Sequence, residues 1–444
     1  MYGTDGTRAA SEYWTMRRYY GNTLAMLRPL ACFLLAITAA VADTNWTQFR
    51  GPRGDGSSDS TGLPVTVSEN EHVKWKTPIH GKAWSSPVVW GSQVWMTTAN
   101  EQGTEIGVVC VEKETGKILQ DKILFRVADP QFCHKFNSYA SPTPSIEEGR
   151  LYVSFGSPGI CAVDTKTGEM LWERRDFVCN HYRGAGSSPV AFENLLLQQF
   201  DGSDKQYVVA LDKKTGKTVW EVNRSVDYQD LQPDGKPEAE GDWRKAFATP
   251  HVFQWQGKPL MLSNAAKAHY AYDPRTGKEI WRYEDRGAHS AAGRPVVGHG
   301  MTFFSTGFGK SSVVALKLGG SGVLGEDKVA WKMTKAVPNK PSVTLVGDLL
   351  FTLNDGGIAN CIEANTGNAI WTQRIGGNYS ASPLYADGRI YVCSEEGKVV
   401  AFAPEREFKS LGEGKLDDGF MASPAVSDKA LYLRTKTSLY RVEL

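Results

Sequence analysis

The sequence predicts an all-β protein: an eight-bladed β-propeller of four-stranded antiparallel blades, its ring closed by an N-terminal strand. Three observations carry this. A step of small residues ending in proline recurs eight times, at Pro87, Pro142, Pro189, Pro250, Pro295, Pro341, Pro383 and Pro424, with spacings of 41 to 61 residues. Each step is followed by short alternating apolar runs, such as Leu151-Tyr152-Val153-Ser154-Phe155 and Ile390-Tyr391-Val392-Cys393. A specific turn then joins the third run to the fourth. Short antiparallel strands repeated every 40 to 60 residues read as propeller blades.

That turn has the pattern A-x-D-x-x-T-G-x-x-x-W. It is present from Ala162 through Asp164, Thr167 and Gly168 to Trp172, and again over residues 210–220 and 271–281. Weaker copies run over 361–371 and over 110–120, where Gln120 takes the place of tryptophan. Asp and Thr side chains cap a tight reversal, and Gly supplies the positive φ it needs. The tryptophan presents a broad apolar face to the neighbouring unit. Trp172, Trp220, Trp281, Trp331 and Trp371 are the expected blade-docking residues.

The last unit, from residue 422, supplies only about three strands. Residues 72–78, containing Trp75, read as a fourth strand standing alone at the other end. Pairing the two closes the ring and removes two open sheet edges.

Three segments are expected: a signal peptide over 1–42, an extended lead over 43–70, and the propeller over 71–444. Arg17, Arg18 and Arg28 precede an apolar run at 30–40, and Ala40-Val41-Ala42 offers a small-x-small cleavage site. The run is shorter than the roughly 20 apolar residues a spanning helix needs. The mature chain is therefore expected to be periplasmic or secreted, without a transmembrane segment, and monomeric.

The whole chain carries 50 basic and 49 acidic residues, and removing 1–42 leaves 46 against 47. Nucleic-acid binding needs phosphate-neutralising charge, so this balance argues against it. Six cysteines remain beyond residue 42, with no C-x-x-C pair. That spacing suits neither a zinc ribbon nor a small disulfide scaffold.

The tryptophan pattern resembles the docking motif of pyrroloquinoline-quinone (PQQ) propellers, over roughly residues 70–444. The segment Trp46-Thr47-Gln48-Phe49-Arg50-Gly51-Pro52 is similar to the start of many exported bacterial members. The family includes quinoprotein alcohol dehydrogenases and the scaffold propeller of the outer-membrane barrel-assembly machinery. For its enzymes, the resemblance implies PQQ in the channel, an adjacent Cys-Cys ring, a calcium held by acidic and amide side chains, and a catalytic aspartate. This chain has no adjacent cysteine pair. No calcium motif is recognisable either. No cofactor, PQQ included, and no catalytic residue are expected.

The connections leading into the blades carry the candidate ligand-binding residues. Counted from the prolines above, His134 and His181 each stand eight positions ahead, His80 seven and His289 six. Cys133 and Cys179 lie beside the first two. Three readings are open there: ordinary rim loops, a Cys133–Cys179 disulfide favoured by an oxidising compartment, or a soft metal held through His134 and His181. The same connections carry Lys82, Lys135, Arg183, Arg244, Lys245, Arg294 and Lys340. Gathered at a channel mouth, these would concentrate anions and fork onto carboxylate, sulfate or phosphate. Otherwise each pairs with a nearby acid such as Asp242, Asp417 or Asp418.

Other signals are weaker. Gly307-Phe308-Gly309-Lys310 lacks P-loop spacing. G-x-S-x-G and H-E-x-x-H are absent. The acidic stretch 227–242 misses the EF-hand pattern and reads as a solvated loop. The function expected is non-catalytic binding or scaffolding outside the cytoplasm, of a partner protein or of an anionic small molecule or glycan. The alternative is a divergent quinoprotein or a rim-metal oxidoreductase. Fold alone does not decide between them.

Overall fold

The turn chemistry builds the expected blades. In the computed structural model, which describes residues 44–444, the Asp164 carboxylate accepts the backbone N–H groups of Lys166 and Thr167 at 2.9 and 2.8 Å. Gly168 follows at a φ of 73°. Asp212 caps Lys214 and Thr215 in the same way. Seven blades carry a register shift just after this turn, for example between Ala162 and Val163 and between Ala210 and Leu211. Such bulges re-aim the strand that follows.

Eight antiparallel sheets result, each running outward from the channel. Blade 1 is Val88–Trp90, Gln93–Ala99, Glu105–Glu112 and Ile118–Arg126. Blades 2 to 7 occupy residues 145–415, and blade 4 gains a fifth, parallel strand, Gly322–Leu324. Blade 8 is Ala425–Ser427, Ala430–Arg434 and Ser438–Val442, completed by Val73–Pro78 from the N-terminal side. The expected closure is therefore what the chain does. Middle strands are buried on both faces, as in Leu195–Asp201, because each blade is covered by two neighbours. Outer strands alternate between exposed and half-buried positions.

The proline spacing needs two corrections. The strand of blade 2 begins at Ser145, directly after Pro144, as blade 1 begins directly after Pro87. Pro142 is thus two residues early. Blade 6 begins at Thr344, so the position equivalent to Pro87 is Val343 and Pro341 is also two early. In both places a second small-residue step precedes the true one.

The lead over 43–70 is built into the molecule from its first described residue. Trp46 bridges to Val89 of blade 1, and Ser57 bridges to Tyr385 of blade 7. Between them, Arg50 donates to the carbonyls of Pro383 and Val343 and to Thr344 Oγ1. Arg294 of blade 5 donates to Gln48 Oε1 and to the Phe49 carbonyl. The segment thus crosses the channel and plugs it. Gly54 and Gly56 are required here, because a Cβ at either would lie within 3 Å of the Arg294 or Arg50 guanidinium. Beyond the plug, Val65 and Val67 run against Gly412 and Gly414 of blade 7, where any side chain would strike their carbonyls. The expected targeting segment, 1–42, lies outside the described residues. Among the described residues, no helix is long and apolar enough to cross a membrane.

Candidate functional site

The plug leaves a cavity of about 640 Å³ in the channel, with Phe49 of the plug among its lining residues. Its sides carry Trp84, Phe136, Phe247 and Phe308. A two-stranded ribbon, Ala288–His289 with Phe308–Gly309, sets His289 directly opposite Phe308. Trp84 is fixed by its indole N–H, which donates to the Phe136 carbonyl at 3.2 Å. Cavities of this size with aromatic walls and a few polar groups are typical of ligand sites.

A chain of hydroxyls runs around the channel at the small-residue step. The backbone N–H of Ser86 donates to Thr143 Oγ1, that of Thr143 to Ser188 Oγ, and that of Ser188 to Thr249 Oγ1. From blade 5 onward, Arg294 N–H donates to Ser342, Ser342 to Ser382, Ser382 to Ser423, and Ser423 back to Ser86. The single missing link is from Thr249 to Arg294, the one member without a hydroxyl. In the sequence this step marks only where each blade opens. The recurrence of Ser or Thr directly before the strand-opening position was the available signal.

The expected cations divide between this cavity and other places. Arg183, Lys245 and Lys340 line the cavity. Arg183 and Lys245 share Asp242, with Arg183 at 3.1 Å. Burial alone would raise the Asp242 pKa, but the hydrogen bonds from Arg183 and Lys245 hold it below the ordinary value. Lys340 pairs with Glu395 at 3.1 Å and Asp355 at 3.4 Å, and lies over the Phe136 ring. Arg244 pairs with nearly buried Asp230. Lys82 caps the Lys135 carbonyl. Arg294 is fully buried on the plug, and burial pushes its pKa down to about 9. The cavity is therefore charge-paired, without a surplus of free cations.

His134 and His289 line the cavity, and burial followed by neighbouring cations lowers both pKa values, keeping the rings neutral near pH 7. His80 sits outside, paired with Asp121 at 2.9 Å. His181 is half-buried, accepts the Ser157 N–H at 3.0 Å, and is held neutral by desolvation with a pKa of about 4. The equivalence of His134 and His181 therefore does not hold. With Pro144 as the true reference, His134 stands ten positions ahead rather than eight. In the structure Cys133 and Cys179 are both free thiols. Cys133 donates weakly to the Arg183 carbonyl at 3.8 Å, while Cys179 lies 3.7 Å from the His181 ring nitrogens. Among the described residues, no group of three or more His, Cys, Asp and Glu side chains is placed to hold a metal.

The tryptophans follow one geometry with one exception. Trp172 donates its indole N–H to the Lys213 carbonyl at 2.9 Å and covers Gly216 of the next blade. Trp220 does the same at Pro274 and Gly277, and Trp331 at Ala364 and Gly367. Trp371 donates to Glu405. Trp281 differs: it pairs with Gly322 of the added strand and is 1% exposed. Gln120 fills the slot in blade 1, with its amide donating to the Thr165 and Lys166 carbonyls.

The family profile described as "Outer membrane protein assembly factor BamB", of PQQ type, matches residues 58–324 and 322–406. A protein of that name from Shewanella oneidensis is 22% identical over 262 residues, covering 53% of this chain and 57% of the relative. The dehydrogenase subunit of a quinone alcohol dehydrogenase from Gluconacetobacter polyoxogenes is 27% identical over 154 residues, covering 32% of this chain and 19% of the relative. The chain thus matches just over half of the first relative and about a fifth of the second. Among solved structures, a europium-containing methanol dehydrogenase superposes with a TM-score of 0.67 at 12% identity, covering 89% of this chain and 90% of that one. BamB from Moraxella catarrhalis gives 0.58 at 12% identity, covering 84% and 97%. These likenesses show the propeller fold.

The residues present do not fit the cofactor of the quinone enzymes. No adjacent cysteines exist in the sequence. The cavity carboxylates Asp242 and Asp355 each face a lysine or arginine already in place. A calcium site needs six to eight oxygen ligands, with its carboxylates free to face the ion. What the matched residues 58–324 and 322–406 do establish is descent: the chain belongs to the PQQ-type propeller family described as outer membrane protein assembly factor BamB.

Proposed function

We propose that this protein is a non-catalytic recognition propeller, acting in the periplasm or outside the cell, that binds a partner protein across the mouth of its channel. One observation carries the reading. Phe132, Phe136, Trp243 and Phe308 are 66, 40, 39 and 39% exposed, and all lie in or beside the mouth loops. Exposed aromatic clusters at the rim of a cavity are the usual anchors of protein interfaces. The relative named as an outer membrane protein assembly factor supports a protein as the occupant. The test is site-specific photo-crosslinking in the native host. A crosslinker at Trp243 or Phe308 should capture one defined partner, and Trp243→Asp should abolish co-purification of that partner. Val219→Asp on the outer strand of blade 3 should leave it intact. Equal loss from both variants would overturn the reading.

A second reading, quinone-dependent oxidation, is supported by the 154-residue likeness to the alcohol dehydrogenase subunit. The donor set speaks against it. It requires a quinone absorbance band and stoichiometric metal in protein purified from its host, and recognition requires neither.

A further inference from the structure

We propose that the protein lies on an anionic phospholipid surface through the outer corner of blades 1, 2 and 3, at the end of the propeller opposite the mouth. This goes beyond the recognition reading and does not depend on it. The outer strands of these blades are Ile118–Arg126, Met170–Arg174 and Thr218–Asn223. Leu119, Leu171 and Val219 stand directly before the docking slot held by Gln120, Trp172 and Trp220. They are 44, 46 and 49% exposed, and Ile118 and Met170 are exposed beside them. In blades 4, 6 and 7 the equivalent side chains, Ile280, Ile370 and Leu411, are half-buried against the core. At this register position, exposed aliphatic side chains are therefore confined to three consecutive blades. In an antiparallel blade the turn from third to fourth strand lies at one end, and the connection to the next blade at the other. The row and the mouth are thus at opposite ends of the propeller.

Cations flank the row. The turns that lead into it expose Lys117, Lys166, Lys214 and Lys217. The acids of the same turns are already engaged. Glu112, Asp164 and Asp212 accept backbone N–H groups of their own turns. Glu114 pairs with Arg441, and Glu169 with Lys122 at 3.7 Å. Among the described residues, no carboxylate forms an ion pair with any of the four lysines. Unpaired cations beside exposed aliphatic side chains fit a surface that is anionic outside and apolar beneath. Protein interfaces favour aromatic side chains and arginine, and deplete lysine. This corner is the reverse, with lysine beside leucine, isoleucine, valine and methionine. Lysine stems are themselves apolar, so an ammonium reaches lipid phosphate while the neighbouring aliphatic tips sink between headgroups. The mouth then faces away from the bilayer, open to a partner.

The test is flotation of the whole protein with vesicles of phosphatidylcholine alone, or of equal parts phosphatidylcholine and phosphatidylglycerol. The protein should bind the mixed vesicles, leave the neutral ones, and be released as salt rises. One cation beside an anionic surface is worth about fivefold in binding. Lys214→Gln with Lys217→Gln should therefore weaken binding roughly 25-fold. Lys317→Gln with Lys409→Gln removes the same charge from exposed positions in blades 5 and 7, and should leave binding unchanged. Leu119→Ser with Leu171→Ser should cost about tenfold with every charge in place. Melting curves establish that each variant is folded, and the exposed lysine pair remains decisive should the leucine pair fail to fold. Equal binding to neutral and anionic vesicles would overturn the inference, as would equal loss from the two lysine pairs. So would failure to bind either vesicle, including the case in which an acidic host protein crosslinks at Lys214 in place of lipid. Val219→Asp should weaken vesicle binding while leaving partner capture at Trp243 intact, so the two readings fail separately.

Discussion

Trp75, on the strand that closes the ring, donates its indole N–H to the Lys113 carbonyl of blade 1 at 3.1 Å, with its ring against Gly116. This is the contact Trp172 makes with blade 3, so the junction between the two ends of the propeller is chemically the same as its internal joints. Deleting residues through Pro78 removes that joint, the plug and the outer strand of blade 8. The truncated protein is expected to aggregate or to lose cooperative unfolding, because two sheet edges are then open. A monomer that melts like the parent by calorimetry would contradict the closure.

The docking tryptophans differ in burial and should differ in weight. Trp281, 1% exposed beneath the added strand, is expected to cost about 3–5 kcal/mol on truncation to alanine. Trp172 and Trp220 are only partly buried, and should cost about half that. Urea unfolding of the three alanine variants checks the order. Equal costs would mean that the added strand contributes nothing to Trp281.

These joints explain why the fold was legible in the sequence and the site was not. The D-x-x-T-G turn and its tryptophan act on neighbours a few residues away or one repeat on, so a periodic scan finds them. The ion pairs of the cavity join residues whose meeting no local pattern states: Arg183 with Asp242 lies 59 positions apart, Lys340 with Glu395 55. The histidine alignment failed for a nearer reason. Two small-residue steps stand in tandem before blade 2, and only the strand start shows which one sets the register. The plug, an extended lead in the sequence, owes Gly54 to the guanidinium of Arg294 in blade 5 and Gly56 to that of its own Arg50.

Three desolvated histidines, two buried and one half-buried, make stability acid-sensitive above the carboxylate range. Burial, the largest cause in each, lowers His181 to about 4 and His251 and His269 to about 3, against about 6.5 when unfolded. Below pH 6.5 the unfolded chain therefore binds protons that the folded chain refuses. The stability they contribute is complete above pH 6.5 and falls as pH drops toward 4. Each histidine contributes a slope of up to about 1.4 kcal/mol per pH unit. Urea midpoints measured from pH 7 to pH 5 should fall steadily, and His269→Phe should reduce the slope by one proton. A flat profile would show the rings to be accessible.

The thiols should be protonated and slow to react. Burial raises Cys133 to about 11 and raises Cys179 as well. Native protein is expected to resist iodoacetamide at pH 7 at all six described cysteines and to alkylate fully once denatured. Its melting midpoint should be unchanged by dithiothreitol. A drop on reduction would indicate a bond between thiols that the folded structure keeps apart.

The strand Val73–Pro78 is translated long before its partner Ser438–Val442. Blade 8 therefore cannot be assembled until that partner has been made, however well the middle blades form on their own. A chain that stalls before residue 438 keeps both rims of an unfinished ring open to other chains, and the interval before completion is its most hazardous. Export before folding would shorten that interval by delivering both ends together.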